Sequence, residues 1–327
     1  MIYEYALEPE LVAGWHDRKK FLFFEEKFSC RTKRIVSAFP KRWKRLVWNA
    51  FVEGGHGQDQ NARKRLEALL ASLCENMVKR ASSFPEIKNW LERAEAEHAE
   101  RPFHAIVARQ NPRDYDYVIT ADKLVENGHD KWQVPDNSPV PRTATGVVEA
   151  MAPILRVCRQ IVFIDPYFDP TKDRFLKPMA CFLDVIWNSR YGVGKPRLEL
   201  HTSIDRYFRK YERGPERDPE KERWECKGLL SRLQAKLPRI IPRGEKMSVF
   251  IWKQRERGQK LHNRYILTEV CGVLFGTGLD QSDDPEAMET DDVELLDGSL
   301  LDSRWKQYKG SPAAFDSVVK PFELVGG

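Results

Sequence analysis

The chain has 327 residues, 41% hydrophobic and 31% charged, with a formal net charge of +5. That length accommodates two domains, and this balance of apolar and charged residues is that of a globular protein rather than a disordered or fibrous one. No apolar run approaches the roughly 20 residues of a membrane span, and the opening MIYEYALEPE lacks the pattern of a secretion signal. Six cysteines without a CxxC pair and seven dispersed histidines outline neither a disulfide framework nor a metal cluster. Reduced thiols, a cytoplasmic setting and no cofactor are the expectation.

Charge is unevenly distributed. Between Arg18 and Arg45 eleven Lys or Arg face only Glu25 and Glu26. Within this run Pro40 to Trp48 reads as a helix opened by proline, with Trp43, Leu46 and Val47 on one face and Lys41, Arg42, Lys44 and Arg45 around it. Such a surface can grip phosphates of nucleic acid, or it can be a solvated helix face over a tryptophan core; both readings stand. Leu66, Leu69, Leu70, Leu73, Met77 and Val78 recur at helical spacing, predicting an amphipathic helix over 61–81. Capping-box spacing from Ser83 to Glu86 predicts another helix carrying Ile87, Trp90 and Leu91. Residues 1–101 are therefore expected to form a mainly helical, basic domain.

Short apolar runs at His104–Ala108 and Tyr117–Thr120 predict strands, and the proline-rich stretch from Val134 to Pro141 predicts a connecting loop. A helix over 146–159 leads into Ile161-Val-Phe-Ile, an apolar run that reads as a buried central strand ending at Asp165. Helices over 175–187 and 220–237 alternate with strands over 197–203 and 247–253. This alternation predicts an α/β domain over 102–327, with one mixed sheet flanked by helices. Asp165, at a strand's carboxyl end, and His201, near another strand end, are candidate site-edge residues; a loop cap and a structural histidine are the competing readings. From Asp280 to Asp302 there are ten acids and no base, predicting an exposed acidic loop. A capped helix over 299–309 follows it.

The stretch Lys260–Asp280 reads as a hairpin. His262 and Arg264, two apart on a strand, share one face, which places an imidazole beside a guanidinium and suits a phosphodiester. Arg264 paired internally with Glu269 is the structural alternative. His262, Arg264, Glu269, Gly276 and Thr277 follow the spacing His-x-basic-x4-acid-x6-Gly-hydroxyl. This resembles the signature of the phospholipase D superfamily, with Arg for Lys, Glu for Asp and Thr for Ser. The ending Gly276-Thr277-Gly278-Leu279-Asp280 looks most like the phospholipase D-like domain at the C-terminus of MIT-domain proteins and in bacterial relatives. The run from Ile164 to Phe168 also looks like that fold.

The resemblance implies metal-independent phosphodiester chemistry, with a nuclease acting on DNA or RNA, in a bacterial genome-defence setting, as the first expectation. His262 would attack phosphorus, Arg264, Gly276 and Thr277 would hold the phosphate, and Glu269 would orient the pair. A second histidine is needed as acid, so a single motif implies a homodimer through the motif face. The alternative is a module that binds phosphate-bearing ligands, nucleic acid, nucleotide or lipid headgroup, without cleaving them. A helicase or ATPase partner recruited by the acidic loop 280–302 is a further possibility.

Overall fold

The computed structural model describes residues 2–81, 83–126, 128–134, 139–208, 217–284 and 288–327. The chain is mixed α/β and divides into two compact units, Met1–Asp136 with Tyr191–Val193, and Asn137–Arg190 with Gly194–Gly327. The expected boundary at residue 101 is thus displaced, because the strands after it complete the first unit's sheet.

That first unit is rich in helix, as expected, but is organised on a parallel sheet that was not. It is built on β1 (Tyr3–Leu7), α1 (Pro9–Ala13), α2 (Arg18–Phe24), β2 (Arg34–Ser37), α3 (Trp43–Glu53), α4 (Gln60–Glu75), β3 (Met77–Val78), α5 (Trp90–Glu100), β4 (Ala105–Ala108), β5 (Val118–Thr120) and α6 (Ala121–Val125). The five strands are parallel in the order β3-β2-β1-β4-β5. Successive residues of β1 enter different cores: Tyr5 and Leu7 pack with Trp15, Trp43 and Phe51, whereas Ala6 packs with Phe39, Ala94 and Phe103. A strand buried on both faces loses the alternation that marks strands in sequence. Glu4 breaks the apolar pattern further. It is buried against Arg80, whose guanidinium spans both carboxylate oxygens at 3.1 and 2.6 Å and lies 4.0 Å over the Phe103 ring. The expected helix over 61–81 ends at Glu75, since Met77 and Val78 pair with β2. No helix begins at Ser83; Asn89 caps α5 instead, accepting the Glu92 N–H.

The second unit contains β6 (Val140–Pro141), α7 (Ala144–Glu149), α8 (Ala152–Leu155), β7 (Gln160–Ile164), α9 (Asp173–Trp187), β8 (Arg197–Ser203), α10 (Pro219–Lys236), β9 (Lys246–Lys253), β10 (Arg264–Thr268), β11 (Gly272–Phe275), β12 (Thr290–Asp291), β13 (Val293–Leu295), α11 (Gly298–Lys309), β14 (Asp316–Ser317) and β15 (Phe322–Val325). Its sheet runs β13-β11-β10-β7-β8-β9-β14, with β15 also on β9. β7, β8 and β9 are parallel; β10 and β11 form the expected antiparallel hairpin beside β7. Phe163 packs on Phe182 of α9, while Ile164, Tyr265 and Leu267 pack with Leu296 and Tyr308 on the α11 side. Arg264, adjacent to Tyr265, is thereby placed on the α9 side.

Residues 135–138 of the proline-rich loop and 285–287 of the acidic segment lie outside the described residues. The rest of the acidic segment is not simply an exposed loop. It carries β12 and β13, and Asp280 and Asp291 are buried.

Candidate anion-binding site

The carboxyl ends of adjacent parallel strands β7 and β8 open beside the start of β10, where loops can place side chains around a ligand. β7 delivers Asp165 and Tyr167, and β10 begins with Arg264. Together they line a cleft of about 360 Å³ with Lys172, Arg174, Phe175, Arg206, Thr277, Gly278 and Asp280.

Tyr167 is the hub. Its hydroxyl lies 2.8 Å from Nδ1 of His262, and its ring meets the imidazole edge-on. The Arg264 guanidinium lies 4.5 Å over the same ring. One aromatic side chain therefore holds both motif residues: a hydrogen bond for the exposed imidazole, a ring face for the cation. Nε of Arg264 is buried without a hydrogen-bond partner, and among the described residues no carboxylate lies within ion-pair distance of this guanidinium.

The other cations differ in their commitments. Arg174 is held by Asp280, its Nε donating at 2.6 Å, and by Asp283; Asp280 also pairs with Arg142 at 3.3 Å. Arg206 donates to Asp169 at 2.6 Å and to the Tyr167 carbonyl. Lys172 is exposed, and no ion pair engages it among the described residues. Arg264 and Lys172 are thus the cleft cations that make no ion pair among the described residues.

Asp165 lies at the inner end of the cleft, 1% exposed. Its Oδ1 accepts the Tyr167 N–H at 2.8 Å, and its Oδ2 is buried without a hydrogen bond of ordinary geometry. Burial pushes the carboxyl up to about 6, against the opposing pull of the Tyr167 amide, the Arg264 guanidinium and the Leu279 amide, with Asp280 adding to the rise.

Three of the expected site residues are elsewhere. Glu269 sits at the far end of β10, where its two oxygens accept the Arg159 N–H at 2.7 Å and the Gln160 N–H at 2.9 Å. It caps the entry to β7 and touches neither His262 nor Arg264. His201 is sealed on the α11 face. Trp252 Nε1 donates to its Nδ1 at 3.0 Å, which leaves Nε2 carrying the proton toward Glu199 at 3.1 Å. Its ring stacks on Phe250 at 4.3 Å, and burial holds its pKa below the usual histidine range. It cannot be the second histidine of a phosphoryl transfer. Gly276 is not in the cleft wall; it allows close approach of the buried Asp291, whose carboxylate accepts the Thr277 N–H at 3.2 Å. Asp165 and Thr277 do line the cleft, as does Gly278.

Lys41, Arg42, Lys44 and Arg45 are all exposed at the start of α3, over buried Trp43 and Val47. Leu46, expected on the inner face, is 37% exposed. A wider cleft of about 720 Å³ lies in the first unit, next to the ends of β1 and β4, but its arginines are already matched: Arg109 to Glu8, and Arg113 to Glu92 and Glu95.

Sequence reasoning missed Tyr167, Lys172, Arg174 and Arg206. The signal was present: aromatic and basic residues follow the ends of two predicted strands, where open α/β sheets bind ligands.

No protein-family model matches the chain, and no curated protein matches it at a significant level. Among the described residues no helix is long and apolar enough to cross a membrane, and no group of three or more His, Cys, Asp or Glu is placed to hold a metal ion.

Proposed function

We propose that the second unit is a phospholipase D-like module that binds a phosphate-bearing ligand at Arg264, Lys172, Thr277 and His262. The observation that supports this reading is Arg264: a guanidinium fixed over Tyr167, with a buried unpartnered N–H and, among the described residues, no carboxylate within ion-pair distance, is suited to hold an anion's oxygens. Nucleic acid is the phosphate carrier that the exposed cations of α3 support. Binding is favoured over cleavage because the unit's other histidine, His201, is sealed in the core.

Hydrolysis is the second reading. It is favoured by the Tyr167–His262 contact in the tautomer whose Nδ1–H donates to the Tyr167 hydroxyl oxygen, which leaves Nε2 unprotonated as the nucleophile; its acid would be a histidine from a second copy facing the same site.

The deciding experiment incubates wild type, His262→Ala and Arg264→Ala with fluorescent DNA and RNA in EDTA, following binding and cleavage together over a salt series. Salt-sensitive binding without cleavage, weakened by Arg264→Ala, supports the module. Cleavage that persists in EDTA and disappears in His262→Ala establishes the nuclease. Equal binding by wild type and Arg264→Ala removes the proposed site.

A further inference from the structure

Resting on the phosphate-site reading above, we infer that Asp165 makes the cleft selective for a phosphate that carries its own proton, a terminal phosphate rather than a phosphodiester or sulfate. An anion site is an unfavourable place for a carboxylate. Asp165 nevertheless lines the same cleft as Arg264, almost wholly buried, with Oδ1 satisfied by the Tyr167 amide and Oδ2 lacking a hydrogen bond of ordinary geometry.

The charged groups around it do not resolve this. Asp280 is held by Arg174 and Arg142, and Arg264 lies on the Tyr167 ring without an ion pair to Asp165. The Tyr167 and Leu279 amides both act on this carboxylate, yet Oδ2 has no hydrogen bond of ordinary geometry, and such an acceptor together with the unpartnered Arg264 N–H fits a ligand that both donates and accepts. A P–OH group is such a ligand: the hydroxyl donates to Oδ2 while the remaining oxygens accept from Arg264.

Chemistry then divides the candidate anions. Inorganic phosphate keeps a hydroxyl throughout the neutral range, and a phosphomonoester regains one as it titrates near pH ~6. Sulfate and phosphodiesters have none. They would set an acceptor oxygen against Oδ2 unless Asp165 itself took up a proton. Burial favours that protonated form only toward the acid side of neutrality. A site built around one hydrogen bond rejects the analogue that cannot make it.

The test is calorimetric binding of inorganic phosphate and of sulfate to the full chain at about pH 7, wild type beside Asp165→Asn. In wild type, phosphate should bind about tenfold or more tightly than sulfate, the scale expected from leaving a buried acceptor unsatisfied. In Asp165→Asn, whose amide can donate, the gap should close through stronger sulfate binding. Equal affinities in wild type, or a gap that survives in Asp165→Asn, would overturn the inference while leaving the phosphate site intact. Absence of binding by either anion to wild type would instead remove the site itself. The wild-type comparison needs no variant, so a folding defect in Asp165→Asn cannot obscure the result. A 5′-phosphorylated oligothymidylate competing where its unphosphorylated form does not identifies a nucleic-acid end as the source of the phosphate; competition by inorganic phosphate alone identifies the free anion.

Discussion

The Tyr167 hydroxyl and His262 Nδ1 are 2.8 Å apart, so the side chain two residues past Asp165 orients the histidine of a motif almost a hundred residues later. Tyr167→Phe removes this hydrogen bond but keeps the ring beneath Arg264. Phosphate affinity measured by calorimetry should fall about 2- to 10-fold, the range of one hydrogen bond. Tyr167→Ala should cost more, because it also frees the guanidinium.

Arg264→Ala should abolish phosphate binding while leaving the thermal transition within about 1–2 kcal/mol of wild type, since the side chain stacks on a ring and makes no ion pair. Arg264→Lys keeps the charge but loses the fork, and its affinity should fall between the two. A large loss of stability in Arg264→Ala would reassign the residue to a structural role.

Glu269→Gln tests the reassignment of that residue. It keeps one carbonyl acceptor and turns the other oxygen into an NH2 donor facing a backbone N–H, so one of the two hydrogen bonds to the Arg159 and Gln160 amides is lost and unfolding should become easier by about 1–3 kcal/mol. Phosphate affinity should be unchanged. A loss of affinity without a loss of stability would return Glu269 to the site.

Asp165 sets a pH dependence of stability. Its carboxyl titrates near 6 in the fold, against ~3.9 in an unfolded chain. Between these values the folded state holds a proton that the unfolded state has lost. Its contribution is therefore fully present below about pH 4 and disappears as pH rises through 6, a span of about 2–3 kcal/mol. Denaturation curves in phosphate-free buffer should show Asp165→Asn less pH-dependent than wild type and comparatively more stable at about pH 8.

In the first unit, Arg80→Met should destabilise the protein by about 3–5 kcal/mol, because it leaves buried Glu4 without its cation and Glu97 with Arg101 alone. Thermal unfolding of the variant beside Glu4→Gln/Arg80→Met would show partial recovery in the double variant if the uncompensated charge is the cause.

The sequence by itself determined the local elements of the second unit. β8 falls on the expected residues 197–203, and β10 and β11 form the expected hairpin. Both follow from backbone propensity and a short turn, which act between near neighbours in the chain. It also singled out His262 and Arg264, which both meet Tyr167, although His262 precedes β10 and so does not share a strand face with Arg264. It did not reveal β1 and β2: their alternation is erased by burial on both faces, and Glu4 in β1 is tolerated only because Arg80 meets it 76 residues later. Nor could it separate Glu269 from the site or seal His201 away from it. The first depends on which end of β10 meets the tip of β7, and the second on which face of the sheet α11 covers. Tyr167, Lys172, Arg174 and Arg206 join the motif only through the pairing of β7 with β10 and β8. Strand register and layer packing are long-range choices, and they alone decided that the buried carboxylate of Asp165 would line the same cleft as the guanidinium of Arg264.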